Sequence, residues 1–169
     1  MKLVYLVVFV FFLSSCSQNS ISTPLLNTDI LKLEKSEKIW LNYKRKSNNS
    51  YVYFINFISW SGFGYETQIK VKKGIFTQRK YTSWNRTKEN SWTENKKELG
   101  KHKTGAKLKL IDDLYEECKN ILKTKTKSTN NIYLGFDEKG LLSNCLYAPK
   151  NCVDDCSNGI QIKEIKFIN

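Results

Sequence analysis

Apolar and polar positions along this chain change period several times, and each period predicts an element. The first block is a continuous apolar run, Leu3 to Leu13, behind Lys2. A basic start, 11 apolar residues and the small Ser14 and Ser15 make a secretory signal. Spanning a bilayer takes roughly 20 apolar residues, so the run predicts no transmembrane anchor. Residues 17–28 are polar and include Pro24, the composition of a flexible tether. From Asp29 to Lys46 helix formers dominate, with Leu33, Ile39, Trp40 and Tyr43 as the inward contacts. Ser47-Asn48-Asn49-Ser50 reads as a turn. Tyr51 to Ile58 is β-branched and aromatic, a strand buried on most of both faces.

Ser59 to Gly64 carries two glycines and predicts another turn. Ile69 and Val71 then alternate with Gln68, Lys70 and Lys72, a strand with one wet face. Lys73-Gly74 suits a two-residue hairpin turn, and Ile75 to Tyr81 returns. Residues 82–107 show the least order, part extended hairpin and part mobile loop. A second helix is sharper. Ile111, Leu114, Tyr115, Cys118, Ile121 and Leu122 fall at i, i+3, i+4, i+7, i+10 and i+11. Asp112 and Asp113 in its first turn and Lys119 and Lys123 near its end suit the helix dipole. Ile132, Leu134 and Phe136 alternate in a strand, Asp137 to Gly140 turns, and Leu141 to Tyr147 returns. A cysteine-rich loop, Ala148 to Gly159, leads to a last strand. Its apolar phase slips between Ile160/Ile162 and Ile165/Phe167, which predicts a β-bulge near Lys163-Glu164. The order predicts an α+β fold of two α-βββ units. It makes one antiparallel sheet, or two abutting sheets, with both helices on one face.

Leu13-Ser14-Ser15-Cys16 resembles the lipobox of bacterial lipoproteins, whose signal is cut before the cysteine. The resemblance implies a diacylglycerol-modified Cys16, a membrane partner reached through that lipid, and a cell-envelope address. Ser17 after the cysteine favours the outer membrane by the sorting rule of enteric bacteria. The chain then divides into a signal (1–15), a tether (16–28) and a single α+β domain (29–169). It also changes the cysteine arithmetic. Of five cysteines, Cys16 goes to lipid, leaving Cys118, Cys145, Cys152 and Cys156. An even number in an exported domain reads as disulfides, with three connectivities open. Cys152 to Cys156 is close to zinc-knuckle spacing, but an oxidising compartment favours disulfides.

The charge is +12 over 169 residues, and +11 once Lys2 leaves with the signal (27 basic against 16 acidic residues). Such an excess can mark a polyanion or anionic-lipid partner. Lys, Asn and Ile are abundant while Ala and Pro are scarce, as an AT-rich genome would produce. No run of five basic residues marks a dedicated patch, and no nucleic-acid partner is expected.

Several further fragments resemble an uncharacterised family of small exported bacterial proteins. They are Trp40 before Asn49 to Tyr53, Val71 to Gly74, Ile111 to Tyr115, Phe136 to Gly140, and Asp154-Asp155 before a strand. Together they span 38–168. The doubled α-βββ layout is also similar in topology to β-lactamase-inhibitor-protein and PepSY-like folds, which alone implies no function.

Catalytic chemistry finds little support. His102 is the only histidine. It sits between lysines and would have to serve any Ser/His/Asp or Cys/His arrangement. Asp112-Asp113 and Glu116-Glu117 read as a helix's wet side, and Asp154-Asp155 as turn carboxylates. No phosphate-binding glycine loop is present. No catalytic residue, metal or cofactor is expected. Asn48 and Asn85 match a glycosylation pattern, which the bacterial lipobox makes irrelevant. The aromatic residues carry the strongest binding signal. Trp60, Phe63 and Tyr65 surround a glycine turn, while Trp84 and Trp92 punctuate a lysine-rich segment. Such rings beside cations suit a glycan, lipid headgroup or peptide. They equally suit a cover for the sheet's end. The expectation is a non-catalytic envelope lipoprotein that binds or scaffolds an envelope protein, glycan or anionic lipid. An inhibitor of a secreted enzyme and a basic polyanion-binding lipoprotein are the alternatives.

Overall fold

The computed structural model describes residues 28–153 and 156–168. Cys16, the signal, the tether up to residue 27 and Asp154-Asp155 lie outside the described residues, and Thr28, read as the tether's end, begins a helix. Among the described residues two helices and eight strands form an α+β fold with two antiparallel sheets. The helices are α1 (Thr28–Lys46) and α2 (Ile111–Thr124). Strands β1 (Tyr51–Ile58), β2 (Gly64–Lys72), β3 (Ile75–Trp84) and β4 (Glu89–Asn95) follow α1. Strands β5 (Asn130–Phe136), β6 (Leu142–Pro149), β7 (Asn158–Gln161) and β8 (Glu164–Phe167) follow α2. Each helix thus precedes four strands rather than three. One sheet runs β4-β3-β2-β1-β8 and the other β5-β6-β7.

The extra strand in the first half is β4, drawn from the segment read as least ordered. The extra strand in the second half replaces the expected bulge. The phase slip between Ile162 and Ile165 marks a strand that changes sheets. β7 pairs with β6 through Gln161, whereas β8 pairs antiparallel with β1, Tyr53 opposite Ile165. At the crossing, the Ile162 amide donates to Ser143 O at 2.6 Å and the Lys163 amide to Phe54 O at 2.8 Å. Two residues therefore bond one sheet each, and the apolar phase resets because the face being buried has changed.

The hairpin at Lys73-Gly74 forms as expected. Both residues have positive φ (50° and 77°), as a type I′ turn requires. A real bulge sits nearby. Lys70 pairs with Gln78 but Val71 with Phe76, leaving Thr77 extra. The slip brings Phe76 to the same face as Arg79 and Tyr81, although the numbering parity differs.

All six stripe residues of α2 are buried. Asp113 anchors the helix start by accepting from the Leu110 amide at 2.8 Å. α1 buries Leu33, Ser36 and Trp40, while Ile39 and Tyr43 pack half-buried against the core. The helices lie antiparallel, as three ion pairs show. Asp29 meets Lys127 at 2.6 Å, Glu37 meets Lys119 at 2.9 Å, and Lys44 meets Asp112 at 2.6 Å. One hydrophobic cluster joins both helices to both sheets. Within it Trp40 meets Tyr51 edge-on at 5.0 Å. A buried, directional polar chain crosses the cluster. The Leu142 amide donates to Tyr115 Oη at 3.0 Å. Tyr115 donates to Ser36 Oγ at 2.7 Å, and Ser36 donates to Gly140 O at 2.7 Å. Burial pushes the Tyr115 phenol above its ordinary pKa, so it stays a neutral donor.

The cysteines pair as Cys118–Cys145 and Cys152–Cys156. The first is fully buried and ties α2 to the middle strand of the small sheet. The second closes a four-residue separation at the surface. Two disulfides fit an oxidising, extracytoplasmic compartment.

Loop-closure entropy separates the two bridges. Replacing Cys118 and Cys145 together with Ala, which opens a 27-residue separation, should cost about 3 kcal/mol or more. The Cys152/Cys156 double variant, with its separation of 4, should cost about 1.5 kcal/mol less, with urea unfolding midpoints as the readout. Tyr115→Phe should destabilise by about 1–3 kcal/mol, because it strands the buried Leu142 amide; the same unfolding curves check it.

Candidate functional site

The inward face of the large sheet is covered unequally. Near the β1 start, the helices cover Tyr51, Tyr53, Ile69 and Val71, all fully buried. Further along, the segment between β4 and α2 takes over. The Ala106 amide donates to Thr67 Oγ1 at 3.0 Å, and Tyr53 Oη donates to Lys109 O. Gly105 (φ +82°) passes so close that a Cβ there would stand 3.0 Å from Tyr81 and 3.3 Å from Trp92. Only glycine fits that conformation and that gap.

A buried ion pair holds this segment down. Arg79 on β3 and Glu94 on β4 are cross-strand partners. Arg79 grips the carboxylate with Nε at 2.9 Å and Nη2 at 3.0 Å. It also donates to Ala106 O at 3.1 Å and His102 O at 2.8 Å. Glu94, with no exposed surface, accepts in addition from the Gly100 amide at 2.9 Å and from the His102 amide. His102 Nδ1 lies 3.0 Å from the carboxylate and donates, since a carboxylate only accepts. Burial alone pushes the Glu94 carboxyl up. The Arg79 fork, the two amides and the His102 ring outweigh it and hold the pKa at about 2. His102 is therefore a clamp residue of the loop, with its ring stacked on Trp92 at 4.2 Å.

Trp92 begins a row of rings that crosses four strands. Tyr81 stacks on it at 5.3 Å, Tyr65 follows at 6.0 Å, Phe57 at 5.8 Å, and Phe63 ends the row at 6.0 Å. The cross-strand register makes this row, with Phe57 opposite Tyr65 and Tyr81 opposite Trp92. Trp92 is already stacked by Tyr81 and by His102, with Arg79 4.8 Å from its ring centre. Its indole N–H donates to Thr104 at 3.2 Å. Trp92 thus supports the row and offers no platform. The cation beside it is Arg79, a buried partner rather than a lysine waiting for a ligand.

At the far end the row opens into a groove of about 460 Å³. Phe63, Tyr65 and Tyr81 form its aromatic wall, and Ser83, Asn85, Lys88 and Asn90 its polar side. The five aromatic residues singled out by sequence therefore divide. Tyr65, Trp92 and Phe63 share the row. Trp84 pairs with Gly64, out of phase with the row; a Gly64 Cβ would meet its ring at 2.7 Å, and Trp84 also lines the groove at the strand's end. Trp60 stands in the β1–β2 turn with 90% of its surface exposed. The sequence reading missed Phe57, Tyr81 and the Arg79–Glu94 clamp. The signal for them was the matching alternation of Arg79/Tyr81 with Trp92/Glu94. It became legible only with β4 recognised as a strand.

Among the described residues no group of three or more His, Cys, Asp or Glu could hold a metal ion. No helix among them is long and apolar enough to cross a membrane. Comparison of the chain with protein-family models, curated proteins and solved structures found no match.

The clamp sets an acid limit. A carboxyl whose folded pKa lies below its ordinary 4.5 stabilises the fold above that pH and loses the contribution as pH falls toward about 2. Unfolding curves from pH 6 to 2 should therefore fall more steeply for the natural protein than for Glu94→Gln. At neutral pH Arg79→Ala should cost about 3 kcal/mol or more, because it leaves a buried carboxylate unpaired.

Proposed function

We propose that this protein is a non-catalytic, lipid-anchored binding module of the cell envelope, and that the aromatic groove takes its ligand. The observation that carries the reading is the groove itself. Helices and loop cover much of the sheet's inward face, yet the row's last rings stay half-open beside hydroxyl and amide side chains. Aromatic surface with a few convergent polar groups is the chemistry of a recognition site. Amides and hydroxyls at Asn85, Asn90 and Ser83 suit the hydroxyls of a sugar, and Tyr65 and Tyr81 suit its apolar edges. Among the envelope components, the groove's chemistry favours a glycan. The buried disulfide supports the exported setting, and the lipobox-like Leu13 to Cys16 supports the anchor.

Purified peptidoglycan and lipopolysaccharide are the ligands to test by sedimentation and calorimetry. Binding to one of them should weaken at least tenfold in Tyr65→Ala and in Asn90→Ala, with Trp92 near-ultraviolet dichroism unchanged. Failure of the natural protein to bind either glycan would overturn the reading. Mass spectrometry of the protein from its own envelope should show acyl chains on Cys16, and loss of membrane attachment in Cys16→Ala.

A further inference from the structure

We infer that the β1–β2 turn is a membrane-contacting tip that inserts its side chains into the interface of a lipid bilayer. Three of the large exposed apolar side chains crowd into six residues there: Ile58, 61% exposed, Trp60, 90%, and Phe63, 50%. The turn that presents them is built rather than loose. The Ser59 amide donates to Phe63 O at 2.9 Å and the Gly62 amide to Ser59 O at 3.0 Å. Ser59 and Ser61 hydroxyls meet at 2.9 Å, and Gly62 takes a φ of +89°. Behind it, Phe63 leans on Phe57 and Trp84 fills the space over Gly64, so the tip stands on packed rings.

Size and charge point to lipid as the occupant. The three side chains offer roughly 400 Å² between them, about half of what one partner gives to a standard protein interface. That is too little to hold a protein and enough for a wedge at headgroup depth. Tryptophan is the residue that favours this depth, with an apolar body and a wet N–H. The neighbouring β3–β4 turn lies against the tip, where Phe63, Asn85 and Arg86 line one shallow hollow. It brings Arg86 and Lys88, against a single acid, Glu89. Cations flanking an aromatic wedge complement anionic headgroups. The inference goes beyond the proposed function, since it requires neither a lipid on Cys16 nor a glycan in the groove.

The test uses the full chain reconstituted into phosphatidylcholine vesicles with and without phosphatidylglycerol, so that any anchor is the same in every sample. Brominated phosphatidylcholine should quench part of the tryptophan emission, with a blue shift. Both effects should vanish in Trp60→Phe, which removes only that fluorophore. Phe63→Ser should expose Trp60 again to aqueous acrylamide. Arg86→Gln with Lys88→Gln should abolish the extra quenching that phosphatidylglycerol brings. Quenching that is equal in the natural chain and Trp60→Phe would overturn the inference. So would shielding of Trp60 from acrylamide by an envelope protein in the absence of lipid. Phe63 and Lys88 also line the groove, so glycan binding is measured in Trp60→Phe, which leaves the groove's lining intact; loss of the tip and loss of the groove are then distinguishable.

Discussion

The fold hangs on one directional chain of hydrogen bonds through its core. From the Leu142 amide through Tyr115 and Ser36 to Gly140 O, each hydroxyl donates once and accepts once. Its ends are backbone groups of the same β5–β6 connection, and its two middle members come from different helices. A buried polar group without a partner is costly, so the arrangement admits one relative placement of α1, α2 and the hairpin. Apolar packing alone would tolerate sliding of the helices. The cross-helix ion pairs at the surface agree with that placement but, being partly exposed, contribute little to it. The buried Cys118–Cys145 bridge fixes the same helix to the same strand covalently.

The large sheet applies a second polar device at its other end. Arg79 and Glu94 occupy positions that face inward, where alternation would otherwise place apolar residues. Their hydrogen-bonding capacity is spent on the backbone of the 100–106 segment, which has few apolar side chains of its own. An ion pair of this kind gains little over a packed apolar pair. What it supplies is directionality, laying an otherwise polar loop along the sheet and leaving the row's far end uncovered. Groove and clamp are thus two results of one substitution pattern.

Strong single periods were legible in the sequence. The apolar stripe from Ile111 to Leu122 predicted every buried residue of α2, and Lys73-Gly74 predicted its hairpin. Mixed signals were not. Glu89 to Asn95 is nearly all polar because β4 is an edge strand whose inward residues are an asparagine at the groove, a tryptophan and a paired carboxylate. Ile160 to Phe167 read as one bulged strand because sequence shows a change of phase but not a change of partner. The aromatic residues were picked by type and by nearness to glycine or lysine, which cannot tell the two faces of a sheet apart. Tyr65 and Trp84 therefore read alike, though register sends them to opposite sides. Phe57 and Tyr81 were read as ordinary strand residues, and only pairing turns them into a row.

The change of sheets at Ile162-Lys163 has a consequence for the order of events in folding. β1 is an interior strand of the large sheet only because β8, the last strand among the described residues, closes its open side. More than a hundred residues separate Tyr53 from Ile165, so this pairing must wait for a long loop to close. Until the final strand arrives, β1 presents a bare, aromatic-rich edge able to template another chain. The topology of the large sheet is thus completed only by β8. A chain passing N-terminus first through a narrow channel would find its fold withheld until β8 has emerged.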